Sequence, residues 1–203
     1  ALVEFFTLKY TYHNLKVLLK HKATGLNLKH LLISVGPYPL DILEHLVATF
    51  SAEHCPKLMA DEMAATWAEY QDYQDVRVLE IGMDLAYFKH LKSLESTFED
   101  ERLKQLVELT IDFYNAVTVQ RAIRHQKPHS FMTQLLSDEG TLTNAEWIEL
   151  AEKGHLASWF SKVNPLEFDA ELSIYEEKLR SGKLTNLELE YLADLVQFKL
   201  LEQ

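Results

Sequence analysis

Phe5-Phe6-Thr7-Leu8-Lys9-Tyr10-Thr11-Tyr12-His13-Asn14-Leu15-Lys16-Val17-Leu18-Leu19-Lys20 is the stretch on which the fold turns. Phe5, Leu8, Tyr12, Leu15 and Leu19 recur at spacings of three and four, the period of one helix face. Phe6, Tyr10, Val17 and Leu18 carry apolar character round most of the circumference. A surface helix needs to bury an arc of only about 100°. The helix expected over 3–22 is therefore central in its domain or covered by a partner. Lys9, His13, Lys16 and Lys20 follow one another at four, three and four residues and form one basic stripe. Such a stripe either meets an acidic or carboxylate-rich partner or is the solvated edge of a central helix. Asn14 lies inside the apolar run, and a buried amide must find hydrogen-bond partners or cost a few kcal/mol. It reads as an internal tether.

Outward from this helix the signals stay helical. Gly25 ends it. Asn27–Val35 reads as a short second helix, broken at Gly36-Pro37-Tyr38-Pro39. Helices are expected at Asp41–Phe50, at Lys57–Tyr70 with Pro56 as opening residue, near 74–96 and at about 100–126. Pro128 opens a short helix that runs to near Gly140, and Asn164-Pro165 opens another that stops near Gly182. Thr143 with Glu146, and Thr185 with Glu188, are capping boxes. Only 6 glycines and 5 prolines in 203 residues disfavour a turn-rich sandwich. No segment alternates long enough to require a strand. Both ends read as helix interior, so the chain is expected to be a fragment.

A weak internal repeat organises these helices. Thr11-Tyr12-His13-Asn14 lines up with Asp112-Phe113-Tyr114-Asn115, and Lys20 falls on Arg121. Leu31-Leu32-Ile33-Ser34-Val35-Gly36 lines up with Leu135-Leu136-Ser137-Asp138-Glu139-Gly140 after a three-residue slip in the joint, where insertions are cheap. The expected fold is all-α: tandem related bundles, with a first unit over 1–98 and a second over 99–203. Asn115 then repeats the tether of Asn14, and Arg121 and Arg124 form a partly basic counterpart of the stripe.

Composition bounds the function. Hydrophobic residues at 47 % with charged residues at 25 % exclude disorder and fibres. A net charge of −11 argues against general nucleic-acid binding. The charge is uneven: residues 1–40 carry +4 and the remainder −15. No run approaches the roughly 18 apolar residues that span a bilayer. The lone Cys55 makes no disulfide within the chain and fits a reducing compartment.

Chemistry-bearing motifs are few. Glu152-Lys153-Gly154-His155 is a single Glu-x-x-His across a helix-ending Gly, where a di-iron bundle needs two such pairs and two further glutamates. His125 and His129 are separated by Pro128. Asp41, Glu44 and His45 share a helix face, an arrangement also common on exposed helices. His54-Cys55 are adjacent, where a catalytic pair comes from distant positions. No phosphate-cradling, dinucleotide, nucleophile-elbow or zinc-protease motif occurs. Three readings stand: a non-catalytic interaction or coupling protein, a cytosolic helical-repeat adaptor, and a helical hydrolase or metalloenzyme on Asp41, Glu44 and His45 or on Glu152 and His155.

Phe5–Lys20 closely resembles the signature helix of the C subunits of the bacterial and archaeal V/A-type rotary ATPases, whose equivalents in eukaryotic vacuolar ATPases are the d subunits. Ile81-Gly82-Met83-Asp84-Leu85-Ala86-Tyr87-Phe88 is similar to a second landmark of that family, and Ile111-Asp112-Phe113-Tyr114-Asn115 with Arg121 to the repeat of the first. The chain departs from the family at Thr11, where Asp is usual, and at Ala116, where Leu is usual. The resemblance implies an all-α, funnel-like protein of three similar bundles, of which the opening part and the third unit are missing here. It implies a protein with no active site and no cofactor, seated on the cytoplasmic face as a peripheral part of the complex. Its partners would be the membrane rotor ring and the central-shaft subunits, with which it turns, passing torque during ATP-linked proton or sodium transport. In isolation it would be a monomer. Lys9, His13, Lys16, Lys20, Arg121 and Arg124 are the candidate partner-facing residues.

Overall fold

A computed structural model describes residues 2–156 and 158–159, positions 175, 177, 178 and 181, and residues 183–202. Among them every regular element is helical. Contacts divide the chain into two compact units, Ala1–Phe98 and Glu99–Gln203.

The first unit is built on α1 (Leu2–Thr24), followed by a single 3-10 turn at Lys29–Leu31, α2 (Leu40–Thr49), α3 (Lys57–Tyr73) and α4 (Val76–Glu95). α1 packs against both α4 and α2, and α3 covers α4. The broad apolar circumference of α1 is thus used inside the unit: Phe5, Leu8, Tyr12, Leu15, Val17, Leu18 and Leu19 are all buried. Leu43, Leu46, Met59, Met63, Leu79, Met83 and Leu91 fill the facing positions. Each such side chain contributes about 1.5–3 kcal/mol by leaving water. Gly25, at φ 70°, ends α1 in the left-handed region that a side chain rarely adopts. Asp75 caps α4 by accepting from Arg77 N–H, and Asp100 caps the next long helix by accepting from Arg102 N–H.

The second unit repeats the plan of a central long helix. α5 (Glu101–Arg124) is packed by α6 (His129–Leu135), α7 (Asn144–Glu152) and α8 (Asn186–Glu202). Leu106, Val107, Ile111, Phe113, Val119, Ile148 and Leu192 are buried around it. Trp159 lies edge-on to Phe113 and to Trp147, with ring centroids 5.3 and 4.9 Å apart. Thr143 and Glu146 close a capping box at α7. Thr185 and Glu188 exchange the same bonds at α8, with Glu188 N–H donating to Thr185 Oγ1 at 3.1 Å. The helix expected from Pro165 to near Gly182 lies outside the described residues.

Two expected helices are shorter than the apolar pattern suggests, for one physical reason. Asn14 Nδ2 donates to Ile33 O at 2.6 Å, and Ile33 N–H donates back to Asn14 Oδ1 at 2.8 Å. His13 Nε2 also bonds Leu31 O at 2.9 Å. The backbone groups that a helix over Asn27–Val35 would use internally are bonded to α1 instead, so only one 3-10 turn forms. In the second unit Asn115 Nδ2 donates to Ser137 O at 2.9 Å, and Ser137 N–H donates to Asn115 Oδ1 at 2.8 Å. Tyr114 donates to Leu135 O. The helix opened at Pro128 therefore stops at Leu135, short of Gly140. Pro56 and Pro128 stand just outside their helices, in extended backbone.

These clips lay a strap, residues 25–39, antiparallel along α1. His21 meets Leu26 O, His13 meets Leu31 O, Asn14 holds Ile33, and Gly36 reaches Thr11 and Thr7. A Cβ on Gly36 would stand 3.3 Å from Thr11 Oγ1 and 3.4 Å from Thr7 Cβ, and its φ of 106° also calls for glycine.

Candidate functional site

Two members of the basic stripe of α1, Lys16 and Lys20, meet α4. Lys16 Nζ donates to Asp84 Oδ1 at 2.7 Å, and Lys20 pairs with Glu80. The i, i+4 spacing of the two lysines is met by the i, i+4 spacing of Glu80 and Asp84, so the pairs form a two-rung ladder between helices. Part-exposed pairs of this kind contribute only up to about 1 kcal/mol each. Burial raises the pKa of the Asp84 carboxyl, a push that outweighs the opposing pull of the Lys16 and Lys20 ammonium groups. The ladder therefore sets the register of α1 on α4 more than it adds stability.

The other candidates are placed differently. His13 is bound to the strap at Leu31 O. Lys9 is exposed, its ammonium 5.0 Å from the centroid of the Tyr10 ring. Arg121 is exposed near the end of α5. Arg124 Nη2 donates to Leu184 O at 3.5 Å, the oxygen that also accepts from Gln120 Nε2 at 3.3 Å. Lys9, His13, Lys16 and Lys20 share one side of α1; Arg121 and Arg124 belong to the second unit.

The second landmark shows why its residues are what they are. Asp84 takes the lysine of the first landmark. Gly82 admits the buried Thr66 of α3: a Cβ there would stand 2.5 Å from Thr66 Cγ2 and 2.6 Å from Oγ1. Met83 fills the core, and the Tyr87 ring lies tilted at 49° against Tyr12 with centroids 5.8 Å apart. Tyr12 also bonds the buried His90 through Nδ1 at 2.9 Å. Burial drives the His90 imidazole down to about 4 and raises the phenols of Tyr12 and Tyr87.

Lys22 belongs to the polar constellation of α1 although it lies off the basic stripe. Its ammonium lies 4.4 Å from the Phe50 ring centroid and 4.8 Å from that of Trp67, and it donates to Val47 O at 2.9 Å. It closes the C-terminus of α2, where a cation is favoured. Its signal in the sequence is faint: a lysine late in an apolar helix, with its two aromatic neighbours far along the chain.

The chemistry-bearing motifs are dispersed. His45 faces Glu53 at 3.7 Å, while Asp41 and Glu44 stay exposed on α2. Glu152 pairs with His129 rather than with His155. His125 is the capping residue that ends α5. Cys55 is a free, half-buried thiol whose pKa is raised by burial. Among the described residues no three ligating side chains converge on a metal position. No described helix is long and apolar enough to cross a membrane.

Described residues that are all helical or connecting, with Asn14 and Asn115 clipping following segments to long central helices and Lys16 and Lys20 tying α1 to α4, define by class a helical-bundle protein. Residues 1–203 match the family described as the ATP synthase (C/AC39) subunit, and the chain belongs to that family, the C and d subunits of V/A-type ATPases. It is similar to the C subunit of the V-type sodium ATPase of Enterococcus hirae, at 26 % identity over 198 residues. That match covers 97 % of this chain, which spans 60 % of the length of the curated relative. No solved structure matched the chain.

Proposed function

We propose that this chain is part of a non-catalytic central-stalk subunit of a V/A-type ATPase or ATP synthase. In this reading it sits on the cytoplasmic face as a peripheral component, between the membrane rotor ring and the central shaft. It turns with both and passes rotation between ATP chemistry and the movement of protons or sodium. The family match over the whole of residues 1–203 carries the reading. The packing supports it, because a coupler must resist twisting. Close-packed helices deform little, and each long central helix is clipped to its own following segment by a paired amide. We read the units over 1–98 and 99–203 as copies of one design, since the aligned residues Asn14 and Asn115 hold the aligned residues Ile33 and Ser137.

The partner-facing set in this proposal remains Lys9, His13, Lys16, Lys20, Arg121 and Arg124, with electrostatic complementarity setting register against the shaft. Lys16 and Lys20 would act there with their carboxylate partners attached. The test is affinity purification of the full-length chain from cell membranes. Ring and shaft subunits in stoichiometric yield support the reading, and their absence contradicts it. Lys9→Glu with Arg121→Glu should lower that yield and steepen its loss with salt; an unchanged yield at low salt removes these residues from the interface.

A further inference from the structure

The first unit carries a second cationic feature, on the flank of α1 that meets α2. α1, the strap and α2 enclose an open cleft of about 470 Å³. Leu18, Val47 and Ala48 give it an apolar floor. His21, Lys22 and Lys29 stand around that floor, opposed by the single carboxylate of Glu44. No acidic side chain occurs anywhere between residues 5 and 40. The strap that forms one wall also leaves three apolar side chains in water: Leu26 at 61 % exposure, Leu31 at 46 % and Val35 at 41 %. Lys22 is already held by two aromatic rings and Val47 O, so it lines the rim as a fixed charge. Lys29 is exposed.

We propose that this cleft and the exposed side of the strap dock an acidic, amphipathic segment of a neighbouring ATPase subunit, its apolar side chain on Leu18, Val47 and Ala48 and its carboxylates on His21 and Lys29. The inference deepens the proposed function and rests on it. Charge complementarity selects the occupant: two lysines and a histidine against one carboxylate, beside a stretch with no acid between residues 5 and 40, favour an acidic partner and penalise a basic one. The two lysines of the cleft, Lys22 and Lys29, are far from the cluster of about 4–8 that draws a protein to an anionic membrane. Leu26, whose carbonyl oxygen bonds His21 at the cleft, supplies an exposed apolar side chain that a docked segment would cover.

The test uses the full-length chain in the assembled, membrane-extracted ATPase, with a photo-cross-linking residue at Leu26. The expected product joins Leu26 to another ATPase subunit, at a segment that mass spectrometry shows to hold carboxylates interleaved with apolar residues. Combining His21→Glu with Lys29→Glu should cut its yield about tenfold. About 0.3 M salt should also reduce it, and Lys127→Glu in the second unit should leave it unchanged. Retained helical content and melting temperature in the double variant tie the loss to the interface. ATPase subunits present with no product at Leu26, or with products only on lipid or on a second copy of this chain, overturn this inference alone. Absence of ATPase subunits from the preparation overturns it together with the functional reading.

Discussion

At the scale of single residues, two asparagines decide where chain that could be helix becomes strap. Each uses both ends of its amide to satisfy one backbone N–H and one backbone C=O on a residue of the following segment. Truncation leaves those groups without partners in a site with little water, which costs about 1–3 kcal/mol. Asn14→Ala and Asn115→Ala should each lower stability to urea by that amount. Asn115 should be the costlier, because Ser137 is buried and Ile33 only partly so. Equal stability of wild type and Asn115→Ala would contradict this account of the clip. The two clips differ beside the amide. Asp112 accepts from Thr141 N–H at 2.9 Å and from the Thr141 hydroxyl at 2.5 Å. The aligned position in the first unit is Pro37, which has no N–H to offer, and Thr11 stands where Asp112 does. Thr11 is buried, and its Oγ1 finds no partner among the described residues. His90 makes a separate prediction. Its folded pKa of about 4 lies below the ordinary 6.5, so the unfolded chain binds the proton first. Stability from this group is complete above pH 6.5, falls as pH drops toward 4, and levels off below, for a total of about 3 kcal/mol. Melting curves between pH 7 and 4 should show this slope, and His90→Gln should remove most of it.

At the scale of helices, the first unit depends on how closely α3 and α4 approach and on how α1 is registered against α4. Gly82→Ala would gain about 1 kcal/mol of helix propensity but would force a methyl into Thr66, an overpacking cost of about 1–3 kcal/mol. Net destabilisation is expected, with partial recovery when Thr66→Ala is added. A more stable Gly82→Ala protein would show that α3 and α4 are less tightly joined. Lys16→Glu would set a carboxylate against Asp84 and should cost about 1–2 kcal/mol, with Asp84→Lys in the same chain restoring at least half. Much of this level is legible in the sequence. Long runs such as Phe5–Lys20 and Leu103–Val117 carry their apolar period locally, so α1 and α5 fall within about two residues of expectation. The 27–35 segment reads as helix because its own residues favour helix, while the side chain that overrules them belongs to α1. Partners for the stripe are equally hidden. Glu80 and Asp84 repeat the spacing of Lys16 and Lys20, but nothing local says that α4 is the helix α1 meets. The landmark Ile81–Phe88 is recognisable in sequence without its physical reason, which only the packing supplies: Gly82 for close approach, Asp84 for the ladder, Tyr87 for Tyr12.

At the scale of the whole molecule, Asn14, Asn115, Lys16 and Lys20 are all engaged in holding one element to another. Apolar breadth and a basic stripe alone do not name the family; it is legible through the resemblance of Phe5–Lys20 to its signature helix, with Ile81–Phe88 and Ile111–Asn115 as further landmarks. The cleft beside the strap is not, since its floor and rim come from three segments that only the fold assembles: Leu18–Lys22, Lys29 and Glu44–Ala48. The chain belongs to the family of C and d subunits of V/A-type ATPases, and the proposed role puts it on the turning side. Rotor and stator predict opposite motions, so motion is the most direct measurement. A bead can be attached through Asp72→Cys, exposed on α3, in the full-length subunit with Cys55→Ser, inside an intact complex immobilised by its catalytic head. On addition of ATP the account predicts stepwise rotation of the bead in step with the central shaft. A bead that stays still while the same complexes hydrolyse ATP and turn their shafts would contradict it.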